Sequence, residues 1–221
     1  EFRRVLFRSN RNPEDVAGVS GKAGIRVDSE LRGRLMYIAF NQKNEILANP
    51  KVVEAMKYLI DYEGMKNSFL KGQYTIHQAF LPRTYLGAIS DTPYSLNVQK
   101  AKTLLAEAGY PDGFEVGIIV REAQERLEIG QSLQNTFGKA GIKVNITVGT
   151  AKQMLAVYRA RQHDIYLGAW GPDYPDPNTN AATFAVNQDN RDEAGLTGQL
   201  AWRNSWDIPK ISEDTLAAVV E

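Results

Sequence analysis

The chain has 221 residues, with 26 basic against 26 acidic side chains and no cysteine. Absence of thiols excludes disulfides, thiol catalysis and zinc–thiolate centres, and it is compatible with an oxidising compartment without establishing one. The even charge leaves no electrostatic footprint for nucleic acid or an anionic membrane, and no apolar run approaches the roughly 20 residues that span a bilayer.

In chain order, residues 1–9 (EFRRVLFRS) resemble the translation of a sequencing-library adaptor and are set aside from fold reasoning. Without Arg3, Arg4, Arg8 and Glu1 the balance becomes 23 bases against 25 acids. Residues 35–40 (LMYIAF) are a continuous apolar run and predict a buried strand. A helix follows from Asn49, which suits an N-cap, with Pro50 at the first helical position. Val52, Val53, Met56, Leu59 and Ile60 form its apolar face. Gly64 is expected to break it before a second short helix around Lys66–Lys71. Residues 72–96 are rich in Pro, Gly, Tyr and Thr without periodicity, and read as a long surface loop.

Asn97 then caps a helix whose stripe is Ala101, Leu104, Leu105 and Ala108, and Gly109 suits its C-terminal left-handed position. Strands are expected at 114–120, 142–149 and 164–170, with helices at 123–140 and 151–161 between them. Such alternation with short connections predicts parallel strands joined by crossover helices, an α/β lobe. A polar segment at 187–199 reads as loop, and a last helix is expected near Ser212–Val220.

In open α/β sheets, ligands gather beyond the carboxyl ends of the strands. The third of these strands runs there into LGAWGPDYPDP (167–177), a loop stiffened by three prolines. A fixed carboxylate on Asp173 can take charge-assisted hydrogen bonds from an ammonium. The indole of Trp170 supplies contact area and a cation–π face worth about 0.5–2 kcal/mol. The same residues have a purely structural reading, with Trp170 in the core and the aspartates making turns. They also have an enzymatic one, with Asp173 and Asp176 as a glycosidase-like carboxylate pair. His77 and His163 are the only histidines; His163, beside Asp164 at a strand start, reads as a surface residue rather than a general base. No glycine-rich phosphate loop, metal-ligand cluster or nucleophile elbow is visible.

Five stretches in order carry a resemblance: YIAFN (37–41), NPKVVEAMKYLIDYEGM (49–65), NVQKAKTLLAEAGYPDGFE (97–115), HDIYLGAWGPDYPDPNT (163–179) and WRNSWDIPKISEDTLAA (202–218). Together they resemble the dipeptide/oligopeptide-binding class of solute-binding proteins that serve ABC importers. The resemblance implies a two-lobed, hinge-closing binding protein, periplasmic or lipid-anchored, non-catalytic and without cofactor. Its partners would be a peptide or similar amine-bearing ligand and an inner-membrane permease, with the protein itself monomeric. Residues 34–221 would then be the second α/β lobe, a periplasmic-binding-protein-like unit with a mainly parallel sheet flanked by helices and cut before its end, and 10–33 a connection from the first lobe.

In peptide-binding relatives a Trp-x-x-Asp motif after the strand holds the ligand's α-ammonium. Trp170-Gly171-Pro172-Asp173 matches it, which implies Asp173 as acceptor and Trp170 as adjoining wall. Other positions depart from the pattern. The preceding helix, where some relatives place an aromatic residue and an arginine facing the ligand, has Ala151, Met154, Leu155 and Tyr158. Met154 and Tyr158 are the candidates there for further ligand contacts. Leu167 stands where some relatives carry an arginine for a carboxylate. The class also transports opines, nickel chelates, glutathione, haem and oligosaccharides, so the ligand itself stays open.

Overall fold

The computed structural model describes residues 13–28, 30–31, 33–174, 176–209 and 211–213. The stretch 1–9 and nearly all of the helix expected near Ser212–Val220 lie outside the described residues. The elements in order are α1 (Pro13–Val19), β1 (Leu35–Phe40), α2 (Glu45–Ala48), α3 (Pro50–Tyr58), α4 (Tyr62–Asn67), α5 (Val98–Glu107), β2 (Glu115–Arg121), α6 (Gln124–Gly138), β3 (Lys143–Gly149), α7 (Ala151–Arg159), β4 (Ile165–Trp170), α8 (Pro177–Phe184) and α9 (Leu200–Arg203), with a 3-10 turn at Asp192–Ala194 before the last.

The four strands form one sheet in the order β1-β4-β2-β3. β2 runs parallel to both β3 and β4, with Ile118 opposite Ile146 and Ile165. Helices α6 and α7 therefore occupy the two crossovers that the sequence predicts. β1 closes the other edge antiparallel to β4, Leu35 facing Trp170 and Phe40 facing Ile165.

Alternate residues of each strand feed opposite faces. Ile118, Val120, Ile165 and Leu167 join the larger core with Val52, Met56, Leu105, Ile129, Leu133 and Phe137, contributed by α3, α5 and α6. Ile119, Tyr166 and Ala39 join a smaller one with Met154 and Tyr158 of α7 and Leu200 of α9. The strands β1, β4 and β2 are thus covered on both faces, which explains why they read as near-continuous apolar runs, whereas edge strand β3 leaves Lys143, Asn145 and Thr147 exposed. Each fully buried side chain of the Leu, Ile or Phe type contributes about 1.5–3 kcal/mol.

The helix starts follow their caps. Asn49 Oδ1 accepts from Lys51 N at 3.0 Å and Asn97 Oδ1 from Lys100 N at 2.9 Å. Thr150 and Gln153 close a reciprocal capping box on α7. One expected boundary moves. The break after α3 falls at Leu59–Asp61 rather than at Gly64, because Asp61 caps a new helix by accepting from Gly64 N at 2.9 Å. A Cβ at Gly64 would run into that carboxylate, so the glycine admits the cap instead of ending the helix.

Candidate functional site

The carboxyl end of β4 carries the turn Trp170–Tyr174, and the chain around it fixes that turn from three sides. Gly168, two residues earlier, lies against Tyr37, whose ring would collide with any Cβ there. Gly171 packs against the stem of Arg34, the residue just before β1. Downstream, Asp176 Oδ1 accepts from Asn178 N at 2.7 Å and Pro177 occupies the first position of α8. The hydroxyl of Thr179 donates to Asp176 O at 2.7 Å, locking the same first turn.

This arrangement separates the two aspartates. Asp176 is the N-cap of α8, with its carboxylate engaged. Asp173 is exposed, and among the described residues no hydrogen-bond donor or cation pairs with it. It faces an open depression of about 570 Å³ lined by Trp170, Asp173 and Tyr174 from the turn and by Asn178, Thr179 and Thr183 from α8. Trp170 is half-buried, one side held edge-on by Phe184 at 5.7 Å and 85°. Phe184 in turn meets Tyr37 at 5.5 Å. The depression thus combines a rigid aromatic wall, an unpaired carboxylate and amide and hydroxyl groups, a set suited to a cation with polar substituents.

The other two expected contacts lie elsewhere. Tyr158 has no exposed surface and stacks on Tyr166 at 3.9 Å, and its hydroxyl accepts from Asn204 Nδ2 at 3.0 Å. Burial pushes its pKa up to about 12. Met154 is 7% exposed in the same cluster. The structure therefore brings Trp170 and Asp173 together at the depression and sets Met154 and Tyr158 in the core behind it, where Trp170 also packs. Leu167 is buried in the larger core.

His163 departs from its expected surface role. It is 5% exposed, edge-on to Tyr158 at 4.9 Å, with Nε2 at 3.1 Å from Asn204 Oδ1. Sequence reasoning also missed α8 as a helix and Arg126 as a buried cation, at 2% exposure. A second shallow depression, about 440 Å³, lies at the amino ends of the strands between Gln134 and Lys143–Asn145. It carries no converging charge and stands at the wrong end of a parallel sheet for ligand binding. Among the described residues no cluster of three or more His, Asp or Glu could hold a metal, and no helix is long and apolar enough to cross a membrane.

Comparison with known proteins follows the same lines. The chain is 29% identical over 178 residues to heme-binding protein A of Haemophilus influenzae, covering 76% of this chain and 32% of that protein. It is 24% identical over 180 residues to the dipeptide-binding protein of Escherichia coli, covering 78% and 34%. The chain spans about a third of the length of these relatives. Among solved structures, a periplasmic binding protein from Helicobacter pylori in complex with a peptide superposes with a TM-score of 0.79 at 22% identity, covering 93% of this chain and 39% of that one. HbpA2 from Haemophilus parasuis gives 0.79 at 24% identity, covering 93% and 40%. The family model for bacterial extracellular solute-binding proteins, family 5, matches residues 4–192. That match covers most of the chain, and the chain belongs to the family 5 bacterial extracellular solute-binding proteins.

Proposed function

We propose that this chain is one α/β lobe of a substrate-binding component of an ABC importer, which captures an amine-bearing solute between two lobes and hands it to a membrane permease. Residues 34–221 form the lobe, 10–33 connect it to the other, and 1–9 are adaptor-derived. The protein works in the periplasm or anchored outside the cytoplasmic membrane, as a monomer. Asp173 accepts the ligand's ammonium and Trp170 forms the adjoining wall, while Met154 and Tyr158 back that wall from the core.

The observation that carries this reading is the unpaired, exposed carboxylate of Asp173 on a turn held rigid from three sides at the carboxyl end of β4. Rigidity lowers the ordering cost of binding, and an unpaired carboxylate needs no partner displaced first. The dipeptide-binding relative and the peptide-bound neighbour support an amine-bearing ligand; the heme-binding relative belongs to the same family with a different one. The hydrolytic reading loses support because the second carboxylate, on Asp176, is engaged as a helix cap.

The test is capture and release with the full-length gene product. Protein purified without denaturation is incubated with a mixture of short peptides, washed and analysed by native mass spectrometry, then unfolded to release its cargo. Recovery of an intact amine-bearing compound at one per protein is expected. Cleaved products accumulating with time would contradict the reading, as would retention of N-acetylated peptides as readily as free ones.

A further inference from the structure

The depression beside Trp170 has a second wall, and the hydrogen bonds within that wall decide what it accepts. α8 contributes Asn178, Thr179 and Thr183 to it. The Thr179 hydroxyl donates to Asp176 O and the Thr183 hydroxyl to Thr179 O, each at 2.7 Å. A hydroxyl has one proton and two lone pairs. With both protons committed to the backbone of α8, the two oxygens offer lone pairs only. Their positions are four apart on one helix, so the Cβ atoms stand about 5–6 Å from each other. Each oxygen therefore takes a donor of its own.

The groups around this pair complete the set. Asn178 is exposed, and among the described residues its side-chain amide has no hydrogen-bond partner, so it is free both to donate and to accept. The turn adds the half-buried indole of Trp170 and the ring of Tyr174, which is 61% exposed. Such rings give a flat, rigid contact at low ordering cost. Among the residues that line the depression, Asp173 alone carries a charge. One ammonium satisfies it, and a second cation on the ligand finds no second carboxylate there. The remaining acceptors are neutral, and neutral hydroxyl donors match them.

We infer that Asn178, Thr179 and Thr183 form a hydroxyl-reading subsite for a ligand whose ammonium lies on Asp173. This rests on the reading of Asp173 given above and narrows the amine to one carried on a polyhydroxylated skeleton, an aminosugar or an amino-polyol. Two of its hydroxyls donate to the threonine oxygens, and one also accepts from the Asn178 amide. Its C–H face lies on the indole of Trp170. The charged group anchors the ligand and the neutral groups select it. A site built to hydrogen-bond hydroxyls discriminates against an analogue that lacks them, because its polar groups are then left unpaired.

The test is NMR on the 221-residue chain, which reads weak binding residue by residue. Probes built on a six-membered ring separate the parts. D-Glucosamine has an ammonium and hydroxyls, cyclohexylamine the ammonium alone, and N-acetyl-D-glucosamine the hydroxyls without the charge. D-Glucosamine should shift amides within 170–174 and 178–183 saturably and bind at least fivefold more tightly than cyclohexylamine. Thr183→Val, which removes the oxygen and keeps the branched shape, should weaken D-glucosamine at least threefold and leave cyclohexylamine unchanged. Asn178→Ala, at an exposed position, should do the same and serves if the first variant does not fold. Absence of a saturable response to D-glucosamine overturns the subsite, as does equal affinity for cyclohexylamine. Equal responses to both amines that Asp173→Asn abolishes uphold the Asp173 reading while the subsite falls. Equal affinity for D-glucosamine and its N-acetyl derivative, with Thr183→Val weakening both, upholds the subsite and removes the ammonium role of Asp173 instead.

Discussion

His163 shows how far one side chain's setting can depart from its local sequence. It follows a polar stretch and precedes an aspartate, yet its imidazole is enclosed by Tyr158, Tyr166 and Asn204. Burial, opposed by the Asn204 hydrogen bond and the Asp164 charge, pushes its pKa down to about 4. The unfolded value is about 6.5, so the native state binds fewer protons than the unfolded chain between those values. The stabilisation is therefore full above about pH 6.5 and is lost as pH falls towards 4. Urea unfolding should show the chain about 2 kcal/mol less stable at pH 5 than at pH 7 from this group. His163→Leu removes the titrating group and should erase most of that difference, whatever it does to stability at neutral pH. An unchanged pH dependence in the variant would show that His163 does not carry it.

At the scale of elements, the parts that could be read from the sequence are those where one face is apolar and the ends are marked. α3 and α5 have both, with Asn49 and Asn97 as caps and buried Val52, Met56, Ala101 and Leu105 on one side. The β2-α6-β3-α7-β4 series was legible from its alternation and short connections, although α6 has no side-chain cap at its start. α8 was not, because PNTNAATF has no apolar stripe; it is a helix through its cap, Asp176, and Pro177. The aspartate–proline pair was a usable signal, read instead as turn chemistry. Arg126 was hidden because a lone arginine on a helix normally lies on a solvated face. Met154 and Tyr158 are ligand candidates only through the resemblance, which places their helix beside the ligand but does not say whether these two side chains meet the sheet or a ligand. Asp176→Ala should lower stability by about 1 kcal/mol through loss of the cap, seen as a lower urea midpoint with unchanged slope. A midpoint equal to wild type would mean that α8 is held by Phe184 and its neighbours without help from Asp176.

For the whole molecule, the central pair β4 and β2 aims its carboxyl ends at one region, and the turn after β4 and the first turn of α6 both lie there. Strands β4 and β2, covered on both faces, make that edge a rigid platform, as the proposed closure of a second lobe over a ligand requires. The account stands or falls on Asp173. Calorimetry on the full-length protein, with a ligand carrying a free amine, compares wild type with Asp173→Asn and Asp176→Asn. Removing the charge partner of a desolvated ammonium costs about 2–5 kcal/mol, so Asp173→Asn should weaken binding roughly thirty-fold to several thousand-fold. Asp176→Asn should bind like wild type, since asparagine caps a helix as well as aspartate does. Equal affinity of wild type and Asp173→Asn would contradict the account and return Trp170 and its turn to a structural role.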